Sequence, residues 1–456
     1  MKTLHLTNAW HETSGGIATI YRALLQAAER RGQEIRLIVP SAEDRVERVG
    51  AHAIIYHLKA QRAPLNSGYR VLWPTAYLSR DSPIQRILKE EKPDLIEVCD
   101  KYNLHYLAAL SRLRLMQDIE SKPTTVGLSC ERMDDNFATY LGRSQVGRTF
   151  CRWYMKWIYF PFFDHHIVIS QHTANELRAV SSGHAVERGV WLRHPGVNLS
   201  VFNGKYRIAK ARARLLRRLG RDESCRLLVY AGRLAPEKNL QLLLQTMRRL
   251  RESDPNALLL IVGDGMARSA METDAADLKG AVEFLGHVNV PSELAEILGG
   301  CEVFLHPNPR EPFGIGPLEA MACGLALVAP NSGGVTEYAN NVNSTLVEAA
   351  PLAFAEAVHE LLRNPGLLAA KSRAAEETAN TFSLECSADA LLDLYAVIDD
   401  VTRGRLPLNE AGTIFRSTAP AETKKKIAGA FAELFKYGFR AWSRLRTGAA
   451  AHGSFS

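Results

Sequence analysis

Residues 309–338 read PREPFGIGPLEAMACGLALVAPNSGGVTEY, and this stretch decides the fold. Leu325–Ala329 is a short apolar run, as a parallel strand buried on both faces requires. Gly316–Ala322 before it reads as a helix, with Pro317 in the first turn, where a missing N–H costs little. Glu319 then sits on that first turn. Glu311 sits on a loop set by Pro312, Gly314 and Gly316. An acidic side chain at a helix start is ordinarily a dipole partner. That explains Glu319 but not the glycine-rich loop that presents Glu311 beside it. A carboxylate pair accepting hydrogen bonds from sugar hydroxyls accounts for both. Ser332-Gly333-Gly334 and Glu337 repeat the glycine-plus-acid theme more weakly.

Working outward, apolar runs alternate with helical patterns in two blocks. The first block has Leu4–Leu6, Ile35–Val39, Pro93–Val98, Thr124–Leu128 and His166–Ile169 as strands, with a helix over Ile17–Arg31. The second has Arg226–Ala231, Ala257–Val262, Val282–Leu285, Val303–Leu305 and Leu325–Ala329, with helices over Leu240–Arg251 and Gly316–Ala322. Repeated βα alternation predicts an α/β protein of two doubly wound, Rossmann-like domains. Such sheets bind ligands beyond the carboxyl ends of their strands, so two of them face to face make a cleft. The expected boundaries are 1–203 for the first domain, 204–383 for the second, 384–401 for a closing helix, and 402–456 for a linker and tail.

Several strand ends carry residues suited to a charged ligand. Ser14-Gly15-Gly16 opens the first helix, where glycines let a phosphate or sugar approach backbone N–H groups. A tight turn explains the same residues, and the pattern is not the GxGxxG of a nicotinamide dinucleotide site. Arg233 and Lys238, in GRLAPEKNL, place two cations past a strand end, where they suit a diphosphate whose charge grows as it leaves. Solvated loop charges are the plainer reading of either one alone. Gly263, in VGDG, permits close backbone approach or simply turns the chain.

The 456-residue chain suits two domains, and its 46% hydrophobic and 23% charged residues describe an ordinary globular protein. Seven scattered cysteines form no CxxC pair, which points away from zinc sites and disulfide frameworks and towards a reducing compartment. The start, MKTLHLTNAW, lacks the apolar core of a signal peptide, and no run of about 18 apolar residues exists. A cytoplasmic location is expected. Residues 401–456 hold 10 Lys/Arg and 3 Asp/Glu, so the whole net charge of +7 resides in the tail. That distribution argues against a globally basic nucleic-acid binder.

Residues 421–446, AETKKKIAGAFAELFKYGFRAWSRLR, pattern as a helix. Ile427, Phe431, Leu434, Phe435, Phe439, Trp442 and Leu445 share one face, opposite Lys425, Lys426, Lys436, Arg440 and Arg444. That is the pattern of an interfacial helix on anionic lipid, or of a helix packed on protein. Arg148–Phe163, RTFCRWYMKWIYFPFF, is also aromatic and basic; a core stripe is the expected reading there.

These motifs together resemble the retaining glycosyltransferases of family 4, which have the GT-B fold. The matching pieces are SGGI at 14–17, VIS at 168–170, PGVNLSVF at 195–202, GRLAPEKN at 232–239, VGDG at 262–265, FLGHV at 284–288, the stretch 309–338, and FSLECSADALLDLY at 382–395. The resemblance spans roughly residues 1–400. It implies that Arg233 and Lys238 bind the donor diphosphate, Glu311 contacts the transferred sugar, and Glu319 holds the nucleotide ribose. Backbone around Phe313 and Gly314 would touch sugar or phosphate, and Gly16 would approach the donor as the cleft closes. It implies no metal and no cofactor, retention by front-face attack, and a leaving phosphate that assists deprotonation of the acceptor.

Two positions depart from the family pattern. Cys130, in Ser129-Cys130-Glu131-Arg132-Met133-Asp134, stands where many relatives have a histidine near the transferred sugar, and a thiol is a poor substitute for imidazole. Cys130, Glu131 and Arg132 are therefore candidate acceptor or sugar contacts. Asn198 replaces the usual Asp in a turn, where both residues serve alike. The expected reaction moves a hexose from a GDP-mannose or UDP-glucose type donor to an acceptor hydroxyl, with a lipid-linked acceptor as a candidate partner. A UDP-sugar epimerase or hydrolase of the same fold, or a catalytically weakened binding protein, are the competing readings.

Overall fold

The computed structural model describes residues 1–11, 15–63, 66–79, 81–112, 122–140, 142, 144–181, 188–207, 209–413 and 415–417. Ser14 and the tail 421–446 lie outside the described residues.

The predicted α/β architecture is present as two large sheets, beside a two-stranded ribbon of Gln61–Ala63 and Asn66–Val71. The first runs, edge to edge, Arg45–Val49, Ala53–Lys59, Glu34–Ser41, Lys2–Thr7, Leu95–Cys99, Thr124–Ser129, His165–Val168, Arg188–Leu192 and Phe415–Ser417. Its interior neighbours are parallel; only the two outermost strands run antiparallel. The second runs Val282–Gly286, Ala257–Val262, Arg226–Ala231, Val303–Leu305, Ala326–Pro330 and Thr345–Val347, all parallel. Its middle strands, such as Ala257–Val262, are buried along their whole length, because helices cover both faces. The two sheets make a GT-B-like pair of Rossmann-like halves.

Each sheet reverses its strand order once. In the first the reversal lies between Lys2–Thr7 and Leu95–Cys99, and in the second between Arg226–Ala231 and Val303–Leu305. Loops leaving the carboxyl ends of those strands diverge and leave a crevice. The Gly15-Gly16 turn leaves the first reversal, and the loops carrying Arg233, Lys238 and Glu311 leave the second.

The last described α-helix, Leu384–Thr402, crosses back to the first half and packs on Gly16–Arg31. Arg30 pairs with Asp389 at 3.3 Å, and Tyr395 donates to the buried Glu97, which Tyr21 also reaches at 2.6 Å. The segment beyond, read as linker, adds the edge strand Phe415–Ser417 to the first sheet. Three residues, Phe-Arg-Ser, of which one is apolar, carried too little periodicity to announce that strand.

The aromatic stretch Arg148–Phe163 corrects the expectation of a plain core stripe. Cys151, Tyr154, Met155, Ile158, Tyr159, Phe160, Phe162 and Phe163 are buried as expected. Val146, Phe150, Trp153 and Trp157, on the other side, are exposed. A helix presents more than one face, and composition alone did not separate them.

Candidate functional site

The helix Ile315–Ala322 starts at Gly314, whose φ of +94° is left-handed. A Cβ there would also come within 2.8 Å of the Tyr338 hydroxyl, which donates to the Gly314 carbonyl at 2.6 Å. Among the described residues no side chain caps this helix start, so its first N–H groups are open to a ligand oxygen. Phe313, buried, stacks near His194 with centroids 5.6 Å apart and meets Tyr338 edge-on at 5.3 Å. The loop is thus wedged by aromatic contacts, while Gly334 lets its backbone pass under Pro312.

Glu311 is the electrostatic centre. Lys238 Nζ donates to both its oxygens, at 3.0 and 2.9 Å, and Asn308 Nδ2 donates to one at 2.9 Å. Burial raises the carboxyl pKa, but the Lys238 charge, then His306 and these hydrogen bonds, overcome it and bring the pKa to about 2. Glu311 is therefore a fixed anion that accepts hydrogen bonds. His306 is held neutral, chiefly by burial, with its pKa near 4. Among the described residues its buried Nε2 has no hydrogen-bond partner.

Glu319 behaves oppositely. Burial alone pushes its pKa up to about 8. Among the described residues nothing hydrogen-bonds its carboxyl group. A half-buried carboxyl without donors is poised to take hydroxyl groups, because each donor it gained would stabilise the ionised form.

Arg233 follows the same strand end as Lys238. It donates to the Tyr69 hydroxyl of the first half and, at 2.7 Å, to Glu237. Tyr69 in turn packs against His11, with ring centroids 4.1 Å apart. The two halves also meet at Gly16, where a Cβ would lie 2.8 Å from Ile315 Cδ1 at the start of the glutamate helix. What Gly16 closely approaches here is the other half of the chain, not a ligand. Gly263 is explained differently from the expectation. Its φ is +138°, and a Cβ would fall 1.9 Å from the Gly232 carbonyl oxygen, so packing between two strand-end loops demands glycine there.

Cys130, Glu131 and Arg132 sit across the cleft, after the strand Thr124–Ser129. Cys130 is buried with its thiol beside that of Cys99, an interaction that raises the Cys99 pKa. Glu131 has its pKa raised, first by burial, and accepts from Asn136 at 2.8 Å. Arg132 is tied to Asp134 at 2.6 and 3.0 Å and to the His172 carbonyl at 3.0 Å. The buried pair Lys101–Glu176 holds this segment: Glu176 accepts from the Met133 N–H at 2.6 Å, and Lys101 donates to the Glu131 carbonyl. Asp134, Asp135, Ala138 and Arg148 then line a polar cavity with Arg310, the neighbour of Glu311.

Residue-by-residue reading of the sequence missed His306, Asn308 and Tyr338 as supports of Glu311 and its loop. The first two stand in HPN directly after a strand end, a position where polar residues merit notice. It also missed Glu337 as a bridge. That residue accepts from the Gln171 N–H and His194 Nε2 of the first half, the latter at 2.9 Å. Among the described residues no group of three or more His, Cys, Asp or Glu could hold a metal ion.

Comparison with known proteins gives the same picture. Residues 14–201 match the model described as Glycosyltransferase Family 4, and residues 212–379 the model described as Glycosyl transferases group 1. A GDP-mannose-dependent alpha-(1-6)-phosphatidylinositol dimannoside mannosyltransferase of Mycobacterium tuberculosis is 26% identical over 392 residues, covering 86% of this chain and 95% of that protein. A D-inositol 3-phosphate glycosyltransferase of Mycobacterium ulcerans is 33% identical over 53% of this chain and 52% of its own. Among solved structures, sucrose-phosphate synthase from Thermosynechococcus elongatus superposes with a TM-score of 0.68 at 20% identity, covering 87% of this chain and 98% of that one. HepE of Anabaena in complex with UDP-glucose does so with a TM-score of 0.61 at 16% identity, covering 87% and 99%. At these identities the structures establish the fold.

Proposed function

The chain belongs to the glycosyltransferases of family 4, group 1, and from that premise we propose that it moves a hexose from a nucleoside diphosphate sugar to an acceptor hydroxyl, with retention and without a metal. The observation that carries this reading is the fixed anion Glu311, clamped at the strand-order reversal by Lys238, whose loop also carries Arg233. Glu311 would accept hydrogen bonds from the sugar. Lys238 and Arg233 would neutralise the diphosphate as the glycosidic bond breaks, an effect confined to the developing charge. Glu319 would take the ribose diol. The departing phosphate would receive the proton of the attacking hydroxyl on the same face of the sugar.

GDP-mannose is the first donor to test, since the M. tuberculosis relative is by name GDP-mannose-dependent; UDP-glucose is the second. That relative's acceptor, again by name, is a phosphatidylinositol dimannoside, which supports a lipid-linked acceptor here. A peripheral position on the inner face of the cell membrane, with the tail 421–446 as one contact, fits such an acceptor. Among the described residues no helix is long and apolar enough to cross a membrane. The test is transfer from each labelled donor into a lipid extract. A labelled product that needs the extract supports transfer. Donor consumption without acceptor would instead support a hydrolase or epimerase.

A further inference from the structure

The helix Gln145–Tyr154 and its π-helical continuation Met155–Tyr159 carry a face that the site described above does not use. Val146, Phe150, Trp153 and Trp157 recur at intervals of four, three and four residues, so they line up along one side. Their exposures are 79%, 44%, 47% and 37%. Phe150 and Trp153 stack on each other at 6.2 Å rather than turning inward. Arg148, Arg152 and Lys156, four residues apart, make a second row beside them. No acidic residue falls between 145 and 163. The opposite side is anchored by Cys151, Tyr154, Met155, Ile158 and Tyr159, all buried. The helix is therefore a fixed platform, not a fraying end.

We propose that this face docks the enzyme on an anionic lipid surface, with Phe150, Trp153 and Trp157 entering the headgroup–acyl boundary and Arg152 and Lys156 meeting lipid phosphates. Aromatic rings with a polar edge favour that boundary, and each basic side chain gains from a negative surface. Charge decides against two other occupants. A two-fold contact with a second copy would bring one cationic row against its equal. The tail 421–446 carries seven Lys/Arg against two Glu, so it too would be repelled. Position adds a consequence. Arg148, on the same helix, lines the cavity with Asp134, Asp135 and Arg310, next to Glu311. A docked helix would hold that cavity at the membrane surface, where an acceptor embedded in the bilayer could reach it.

The proposal concerns a surface, and it stands or falls separately from the donor chemistry. The test is co-sedimentation of the full chain with vesicles of phosphatidylcholine alone or containing one third phosphatidylglycerol. The expected result is binding to the anionic vesicles, weakened by raised salt. Phe150→Ser with Trp153→Ser, and separately Arg152→Glu with Lys156→Glu, should each lower the partition coefficient about tenfold or more. Donor binding by the Phe150/Trp153 variant, measured by calorimetry, should stay at the wild-type value, which also shows that it is folded. Unchanged sedimentation of both variants would overturn the proposal and assign membrane binding elsewhere, the tail included. Failure of the wild-type chain to sediment with either vesicle would overturn it as well, and would leave an acidic protein partner as the occupant.

Discussion

Lys238 and Glu311, 73 residues apart, meet in a two-pronged contact of 3.0 and 2.9 Å at the point where the second sheet reverses its strand order. Each comes from a different strand-end loop, so the pair exists only once the sheet is assembled. Both side chains are largely shielded from water, at 20% and 12% exposure. Such a pair is costly to break, because removing one partner strands the other charge.

Glu311→Ala and Lys238→Ala should each lower turnover by roughly a hundredfold to a thousandfold, the range found when preorganised charge is removed from a transition state. Far-ultraviolet circular dichroism should stay native. The double variant should lose much less than the product of the two single losses, since the residues act as a unit. Full turnover in both single variants would dissolve the assignment.

Glu319 sets a pH dependence of donor affinity. Its folded pKa of about 8 lies above the ordinary value of 4.5, so the group is largely protonated at pH 7. Hydroxyl donors from a ribose favour the ionised form, so affinity should rise with pH and level off above about 8. Stability runs the other way. A raised pKa gives a contribution that is complete below pH 4.5 and is lost as pH rises through 8. Glu319→Gln should therefore match wild-type stability near pH 4.5, exceed it at pH 9, and lose the pH-dependent part of donor binding. Melting curves and titrations at the two pH values check both signs.

Gly334→Ala tests the support of the loop. A Cβ there would fall 2.0 Å from the Pro312 carbonyl oxygen, and backbone cannot swing aside as a flexible side chain can. The substitution should cost about 1–3 kcal/mol, as overpacking does, and weaken donor binding by shifting Glu311. A chemical denaturation midpoint equal to that of wild type would contradict this.

Cys130→His introduces the imidazole that the family resemblance implies at this position. Cys130 is buried against Cys99, so an imidazole should strain the strand end and lower the melting temperature. Turnover should not rise. Faster transfer would show instead that the cleft accommodates the ring and that the thiol is a catalytic compromise.

Much of this was legible because the fold repeats. Apolar runs of three to six residues announced most of the parallel strands, and the Gly/Pro spacing of 309–338 placed Glu311 on a loop and Glu319 on a helix; Glu319 lies past the first turn expected for it, because the helix already begins at Ile315. What stayed hidden depends on contacts between distant segments. The edge strand Phe415–Ser417 needs Arg188–Leu192 as its partner. The need for glycine at 263 comes from the carbonyl of Gly232, 31 residues earlier. The opposite ionisation of Glu311 and Glu319 follows from which one has Lys238 and Asn308 within reach, and periodicity does not encode that.

The most direct measurement is calorimetric titration of the wild-type chain and of Lys238→Ala with GDP-mannose and UDP-glucose, in buffer free of divalent metal. One donor should bind the wild type, and the substitution should weaken that binding about tenfold or more, as loss of a charge-assisted contact to phosphate implies. Equal binding by the two proteins, or no heat from the wild type with any nucleoside diphosphate sugar, would contradict a donor site built on Lys238 and Glu311.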